Sequence, residues 1–366
     1  MKKINWISGL RGITALIIVC YHLQQLRPII NLESWDWALY QFFNMAPVVV
    51  AIFFILGGLL RSLGYWESIF FQKDVPNTRK ILIDRWWRIA PVYYIALIWS
   101  FLWSIYILGY NSDMLISLFS GFFFLNWLSP MTFFPTIING PLWFIGYDMM
   151  GYIFTVYMMI GLTKISKKYI IPAILMYIAL FLLLHNIFIS FPWPVGSGIV
   201  SVWFPYYNPF IFALYFIMGI SIGWIITYFQ NIQKTIIADI VFLCSVGCIG
   251  IFLWFIRWVP DLAYSYPISP YRFPLVPILW VFAIVSIIYS RYIWLWIDNR
   301  ILLWLATVSY SLYLWHWLII SIILQIFSFQ ISTSFIDWSI FSILSLVISL
   351  WFAALSARYI ESIKRK

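Results

Sequence analysis

Residues 209–228 read PFIFALYFIMGISIGWIITY, twenty positions without a charged side chain. A helix of that length is about 30 Å long, which matches the hydrocarbon core of a bilayer. Nine further apolar runs of similar length follow one another along the chain. They cover residues 7–24, 42–63, 89–108, 141–162, 170–188, 236–256, 273–290, 301–327 and 338–359. The pattern predicts an all-α integral membrane protein, a bundle of about ten transmembrane helices.

The composition of the whole chain supports this interpretation. Of its 366 residues, 64% are hydrophobic and only 9% are charged, whereas about a quarter of the residues in a soluble domain are charged. The net charge of +10 comes without a basic stripe or a nucleic-acid-binding motif, so we expect no nucleic-acid partner. We expect a single polytopic domain over residues 1–366, in contact with membrane lipids and without an appended soluble domain.

The lysines and arginines are distributed unevenly between alternate loops. If both termini are cytoplasmic and the short apolar stretch 115–128 does not cross, eighteen of the 22 basic residues face the cytoplasm. The four exceptions are Arg11, Arg27, Arg257 and Arg272. Loops that face the cytoplasm are enriched in lysine and arginine, so this topology is favoured. It places Arg61 in a cytoplasmic loop.

The first apolar run contains two residues that are costly in hydrocarbon, Arg11 and His22. They are 11 residues apart, which puts them within about 20° on one helical face and about 16 Å apart along the axis. Histidine is the side chain best suited to general-base work near neutral pH. The pair therefore predicts one wall of a functional site. The alternative is a structural histidine and an arginine that extends to the membrane interface.

Two other places carry charge at or within the apolar runs. Arg85 and Arg88 lie three residues apart, so on a helix they share a face and can clamp phosphates, or else anchor a loop at the cytoplasmic surface. Asp148 is the only carboxylate well inside a run. A buried carboxylate needs a partner, and Arg11 or His22 is expected to supply it, either in an ion pair or by orienting the imidazole.

The remaining histidines are weaker candidates. His316 stands in the ninth run beside the hydroxyls of Ser309 and Tyr310, where polar contacts between helices are frequent. His185 is expected at the membrane interface. Three histidines on three helices, without an acidic cluster, predict no metal site.

Three segments together resemble the acyltransferase-3 family of membrane-bound O-acyltransferases over nearly the full chain. The first is Leu10-Arg11-Gly12, leading to Tyr21-His22, an arginine and a histidine separated by ten residues. The second is Arg85-Trp86-Trp87-Arg88-Ile89-Ala90-Pro91, similar to an Arg-x-x-Arg-Ile-x-Pro element. The third, residues 309–316, reads SYSLYLWH.

The resemblance implies an enzyme of a bacterial inner membrane that moves an acyl group, usually acetyl, from cytoplasmic acyl-CoA to a sugar hydroxyl. The acceptor would be an extracytoplasmic carbohydrate or glycolipid of the cell envelope. His22 corresponds to the catalytic histidine, as base or acyl carrier, and Arg11 to its motif partner. Arg85 and Arg88 correspond to the contacts with the phosphates of acetyl-CoA. Without a hydrolase-like domain, direct transfer is expected.

Two departures from the family pattern are visible. Gly57 stands where Phe-Phe-x-x-Ser-Gly has serine, and Trp143 to Asp148 replaces Trp-Ser-Leu-x-x-Glu with a shorter carboxylate. Trp143, Ser309, Tyr310 and His316 are expected to support the site or contact substrate. The rival interpretations are a transporter or flippase for a lipid-linked glycan, and a structural subunit of an envelope-glycan assembly complex.

Overall fold

The structure is a computed structural model that describes residues 5–27, 40, 42, 44–193, 200, 203–229, 232–256, 270–326 and 335–361. Arg257, for which an outward position is expected, lies outside these residues. Twelve α-helices are defined in the described part. They are α1 Asn5–Gln25, α2 Val50–Phe71, α3 Thr78–Leu108, α4 Ser112–Phe122, α5 Trp143–Thr163, α6 Ile170–Ser190, α7 Pro209–Tyr228, α8 Ile236–Ile256, α9 Leu275–Tyr289, α10 Ile293–Ile297, α11 Arg300–Ile326 and α12 Phe335–Tyr359.

Most of these helices have the length and the composition of membrane spans. Within the described ranges, nine helical segments are long and apolar enough to cross a bilayer. A tenth, α9, is also apolar but has only 15 residues. The predicted all-α, multi-pass membrane fold is confirmed.

The second and third spans differ from their expected bounds. Helix α2 continues to Phe71 instead of ending at residue 63. Helix α3 begins at Thr78, eleven residues before its apolar run, because the Asn77 side chain accepts a hydrogen bond from the Lys80 amide and caps it. The loop position expected for Arg61 is therefore wrong: this residue, like Arg85 and Arg88, lies inside a helix.

Residues 112–142 form a re-entrant segment, which enters the bundle and turns back. Helix α4 has 11 residues and is about 16 Å long, too short to cross. The Tyr93 hydroxyl, halfway along α3, donates to the carbonyl of Gly121 (3.1 Å). Buried Asn139 donates to the carbonyl of Leu314, at mid-length of α11 (3.0 Å). Non-helical backbone is tolerated within a membrane where protein surrounds it. These contacts agree with the non-crossing position expected for stretch 115–128, which stays a prediction.

Glycines allow two pairs of helices to approach closely. A methyl group on Gly58 of α2 would overlap the carbonyl oxygen of Phe216 in α7, and one on Gly219 of α7 would overlap that of Ile55. Gly12 of α1 packs in the same way against the main chain of α11. Small residues at such crossings bring membrane helices into backbone contact. These contacts fix the face that α1 presents to the centre of the bundle.

Candidate functional site

The described residues enclose two neighbouring cavities of different character. The arginine cavity has a volume of about 520 Å³ and lies between α1, α2, α3, α5 and α11. The histidine cavity has a volume of about 300 Å³ and lies between α1, the re-entrant segment and α11, with residues of the segments before α7 and α9. The charged residues of the first cavity are Arg11, Arg61, Asp84, Arg85, Arg88 and Asp148.

Asp148 forms the centre of an ion-pair cluster in the arginine cavity. One carboxylate oxygen accepts a hydrogen bond from Nη2 of Arg61 (2.8 Å), and the other accepts one from Nη2 of Arg85 (2.6 Å). Both oxygens are thus occupied by partners other than the expected Arg11 and His22. Asp148 does not orient the His22 imidazole, because two arginines from α2 and α3 hold it in a different cavity.

Arg61 is the functional candidate that the sequence analysis missed. Its side chain is 7% exposed, and its guanidinium lies 4.3 Å from the centre of the Tyr152 ring and 5.2 Å from that of Phe216. The distribution of basic residues assigned Arg61 to a cytoplasmic loop, although it falls within the apolar run 42–63. The signal that was available is the aromatic continuation after it, in which Tyr65 and Trp66 are fully buried.

Arg11 and Arg88 complete the arginine cavity, so four guanidinium groups from three helices line it against two carboxylates. Ser309 and Tyr310 line the same cavity. Their hydroxyls donate to main-chain carbonyls, Ser309 to that of Ala306 and Tyr310 to that of Ile89. An excess of arginine in a cavity of this kind suits an anionic ligand with phosphate groups.

His22 lines the histidine cavity and is held by its neighbour Gln25. Its Nδ1 lies 2.8 Å from Oε1 of Gln25, whose amide nitrogen donates to the Tyr21 hydroxyl (2.6 Å). An amide oxygen can only accept, so Nδ1 of His22 carries the proton and Nε2 keeps its lone pair. The arrangement leaves one basic ring nitrogen for chemistry.

Aromatic side chains dominate the rest of the histidine cavity. The rings that line it are Tyr21, Phe134, Trp143, Trp203, Tyr207, Tyr271, Tyr313 and Trp317. Among the described residues that line it there is no aspartate, glutamate, lysine or arginine. The cavity is therefore suited to an uncharged ligand with apolar faces and hydroxyl groups.

His316 lies behind His22, with ring centres 5.1 Å apart. It is fully buried, and its Nδ1 donates to the main-chain carbonyls of Leu312 (3.1 Å) and Tyr313 (2.9 Å). It lines neither cavity. These contacts give His316 a supporting position and no direct contact with a ligand in either space.

Tyr313 is the side chain that the two cavities share. Its hydroxyl donates to the carbonyl of Pro141 in the re-entrant segment, and its ring lies 5.2 Å from that of Phe144. Arg11 and His22, expected on one wall, thus line different cavities that meet at Tyr313. Trp143 lies on the histidine side of this boundary.

No group of three or more histidine, cysteine, aspartate or glutamate residues that could hold a metal ion occurs in the described ranges. His185 contacts the Asn208 side chain at 2.7 Å, away from both cavities.

Residues 4–356 match the model of a protein family, the acyltransferase-3 family, whose description is an acyltransferase domain. No curated protein and no solved structure gives a significant match. The family match includes every residue that lines the two cavities.

Proposed function

Because the chain belongs to the acyltransferase-3 family, and is thereby a multi-pass membrane acyltransferase, we propose that it transfers an acetyl group from acetyl-CoA to a sugar hydroxyl. The donor binds in the arginine cavity and the acceptor in the histidine cavity. The observation that carries the proposal is the pair of cavities, one rich in arginine and one aromatic, that meet at Tyr313.

Phosphate groups explain the four arginines of the first cavity. Guanidinium groups bind phosphate oxygens with paired hydrogen bonds, and coenzyme A carries a diphosphate and a 3′-phosphate. Arg11 and His22 are about 16 Å apart along α1, and the pantetheine arm of the coenzyme connects the phosphates to the thioester over this interval. We infer that the arginine cavity opens to the cytoplasm of a bacterium, where acetyl-CoA is made.

A carbohydrate explains the second cavity. Aromatic rings pack against the apolar faces of sugar rings, and Tyr21, Tyr207 and Tyr271 contribute phenol side chains to the lining of the cavity. The cavity lies near the end of α1 opposite to the arginines, so the acceptor enters from the extracytoplasmic side. We therefore infer an envelope polysaccharide or its lipid-linked precursor as acceptor.

The free Nε2 of His22 supplies the base for the reaction. It removes the proton of the acceptor hydroxyl, and the oxygen then attacks the carbonyl carbon of the thioester. The bond between carbon and sulfur breaks, the new ester forms, and the departing thiolate takes the proton back from the imidazolium. Attack by Nε2 itself, with an acyl-histidine intermediate, needs the same tautomer. In both routes the thioester passes Tyr313.

The proposal is tested with membranes that contain the protein, incubated with radiolabelled acetyl-CoA, followed by extraction of the envelope glycan. The wild type transfers label to glycan, and His22→Ala lowers the transfer by about 100-fold or more, the usual contribution of a general base. The matched control is His185→Gln, which changes a histidine outside both cavities and keeps transfer.

Two results contradict the proposal. Absence of label in the glycan with the wild type refutes acetyl transfer to a sugar, and transfer by an inserted His22→Ala variant at the wild-type rate refutes the role of His22. Movement of glycan across the membrane without acetyl-CoA would favour a transporter.

A further inference from the structure

We propose that Arg61 binds the diphosphate of the donor, and that Asp148 is the counter-ion that holds Arg61 ready for it. This inference rests on the proposed function, since it names the part of acetyl-CoA that one residue of the arginine cavity contacts. The sequence motif suggests Arg85 and Arg88 as phosphate contacts, and this inference adds Arg61 to them.

The position of Arg61 is fixed from several sides. Asp148 accepts a hydrogen bond from its Nη2 at 2.8 Å, and the rings of Tyr152 and Phe216 lie on its guanidinium. The side chain is 7% exposed and lines the arginine cavity. A guanidinium held in this way loses little conformational freedom when a ligand binds, which favours affinity.

Two hydrogen-bond donors in this cluster have no partner within the described residues. Nη1 of Arg61 and Nε of Arg85 are buried and have no hydrogen-bond partner. Nη1 of Arg61 lies beside Gly57, which also lines the cavity. A Cβ atom added to Gly57 would be only 2.8 Å from this nitrogen. Buried donors are nearly always paired in folded proteins. Phosphate oxygens are the partners that complete both groups.

The charges of the cavity indicate how much negative charge the ligand brings. Four arginines and two aspartates line it, so these six residues carry an excess of two positive charges. The diphosphate bridge of coenzyme A carries two negative charges. A diphosphate at the Arg61 and Arg85 cluster therefore neutralises the cavity, and the 3′-phosphate remains nearer to its mouth.

Gly57 links this site to a departure from the family pattern. Serine is expected at this position, but a side chain here would crowd the Arg61 guanidinium. Glycine at position 57 and arginine at position 61 lie one helical turn apart on the same face. Glycine at position 57 therefore leaves room for the Arg61 guanidinium.

The test measures ligand binding to the full-length protein in lipid nanodiscs by titration calorimetry. The ligands are coenzyme A, dephospho-coenzyme A, which lacks the 3′-phosphate, and pantetheine, which has no phosphate. Arg61→Gln is expected to weaken binding of the first two by the same factor, tenfold or more, and to leave pantetheine unchanged. Lys73→Gln, which removes an exposed charge outside the cavity, is the matched control and binds all three like the wild type.

A second variant separates contact from net charge and covers the case in which Arg61→Gln does not fold. In Arg61→Gln with Asp148→Asn the excess charge of the cavity is unchanged and no carboxylate is left without its arginine. Weak binding of both coenzymes by this double variant supports direct contact. Wild-type binding by it shows that only the net charge matters and overturns the assignment.

The other outcomes are also decisive. A loss that affects pantetheine equally indicates a structural role for Arg61, and a loss confined to coenzyme A indicates contact with the 3′-phosphate, so either overturns the diphosphate assignment. If the wild type binds coenzyme A and transfers acetyl, but Arg61→Gln binds coenzyme A as tightly as the wild type, this inference fails and the proposed function stands. If the wild type binds none of the coenzymes, the proposed function itself fails.

Discussion

The tautomer of His22 depends on a single residue one helical turn away. Gln25 accepts from Nδ1 at 2.8 Å and is itself held by the Tyr21 hydroxyl. Without the amide oxygen the imidazole can turn or place its proton on Nε2, and the base is lost. Gln25 also lines the histidine cavity, and under the proposed function it would affect the reaction through the tautomer of His22.

We expect Gln25→Leu to lower kcat of acetyl transfer by about 10- to 100-fold, the effect common for groups that orient a functional histidine. Under the proposed function KM for acetyl-CoA is expected to be unchanged, because Gln25 lines the histidine cavity and the donor phosphates would bind in the arginine cavity. Gln25→Glu keeps an acceptor for Nδ1 and retains most of the rate. Steady-state kinetics with radiolabelled acetyl-CoA checks this, and an unchanged kcat in Gln25→Leu contradicts it.

At the residue scale the sequence predicted the motif side chains better than their partners. Arg11, Arg85, Arg88 and Asp148 all line the arginine cavity, and His22 lines the other. The partner of Asp148 was not predictable, because an ion pair between residues 61 and 148 depends on how α2 packs against α5. The distribution of basic residues placed Arg61 in a cytoplasmic loop, so the sequence did not indicate that it pairs with Asp148.

At the scale of helices, the contact between α2 and α7 holds Arg61 in place. The main chains touch at Gly58 and Gly219, and the Trp66 indole donates to the carbonyl of Ile220 (2.9 Å). Phe216, beside the guanidinium of Arg61, is part of the same contact. Separation of the two helices would therefore disturb the arginine cavity as well as the fold.

We expect Gly58→Ala to destabilise the protein by about 1–3 kcal/mol, because the added methyl group overlaps the main chain of α7. Gly247→Ala in α8 is the matched control, since a Cβ atom there meets nothing within 4 Å. The control gains up to about 1 kcal/mol from helix propensity. Thermal unfolding in detergent measures both, and equal melting temperatures would show that the crossing is less tight than described.

Local sequence was sufficient to predict most of the apolar helices but not all of their ends. Runs of apolar residues identify helices α5 to α9 to within a few positions of their observed bounds. The last turns of α2 contain Tyr65, Trp66 and Glu67, a mixture that resembles a loop in a hydropathy profile. These residues are helical because the two aromatic rings are buried against neighbouring helices, which is a tertiary effect.

At the scale of the whole molecule, the two cavities lie toward opposite ends of α1 and share Tyr313. Under the proposed function, a donor in one cavity and an acceptor in the other would meet at Tyr313, and neither would have to cross the bilayer. The re-entrant segment contributes to this arrangement, because Phe134, Ile137 and Pro141 line the histidine cavity. The proposed function therefore predicts that the arginine cavity faces the cytoplasm.

That orientation leads to a prediction for the topology. If residues 112–142 return without crossing, the connection between α3 and α4 is extracytoplasmic and the lysines between α5 and α6 are cytoplasmic, as the positive-inside rule requires. A green fluorescent protein fused after Lys168 is expected to fluoresce, and alkaline phosphatase fused after Gly109 is expected to be active. The controls are the reciprocal fusions, alkaline phosphatase after Lys168 and green fluorescent protein after Gly109. The first should be inactive and the second should not fluoresce. Active phosphatase after both Lys168 and Gly109 would show that residues 112–142 cross the membrane. Active phosphatase after Lys168 together with a fluorescent fusion after Gly109 would invert the molecule, place the arginine cavity outside, and remove its access to cytoplasmic acetyl-CoA.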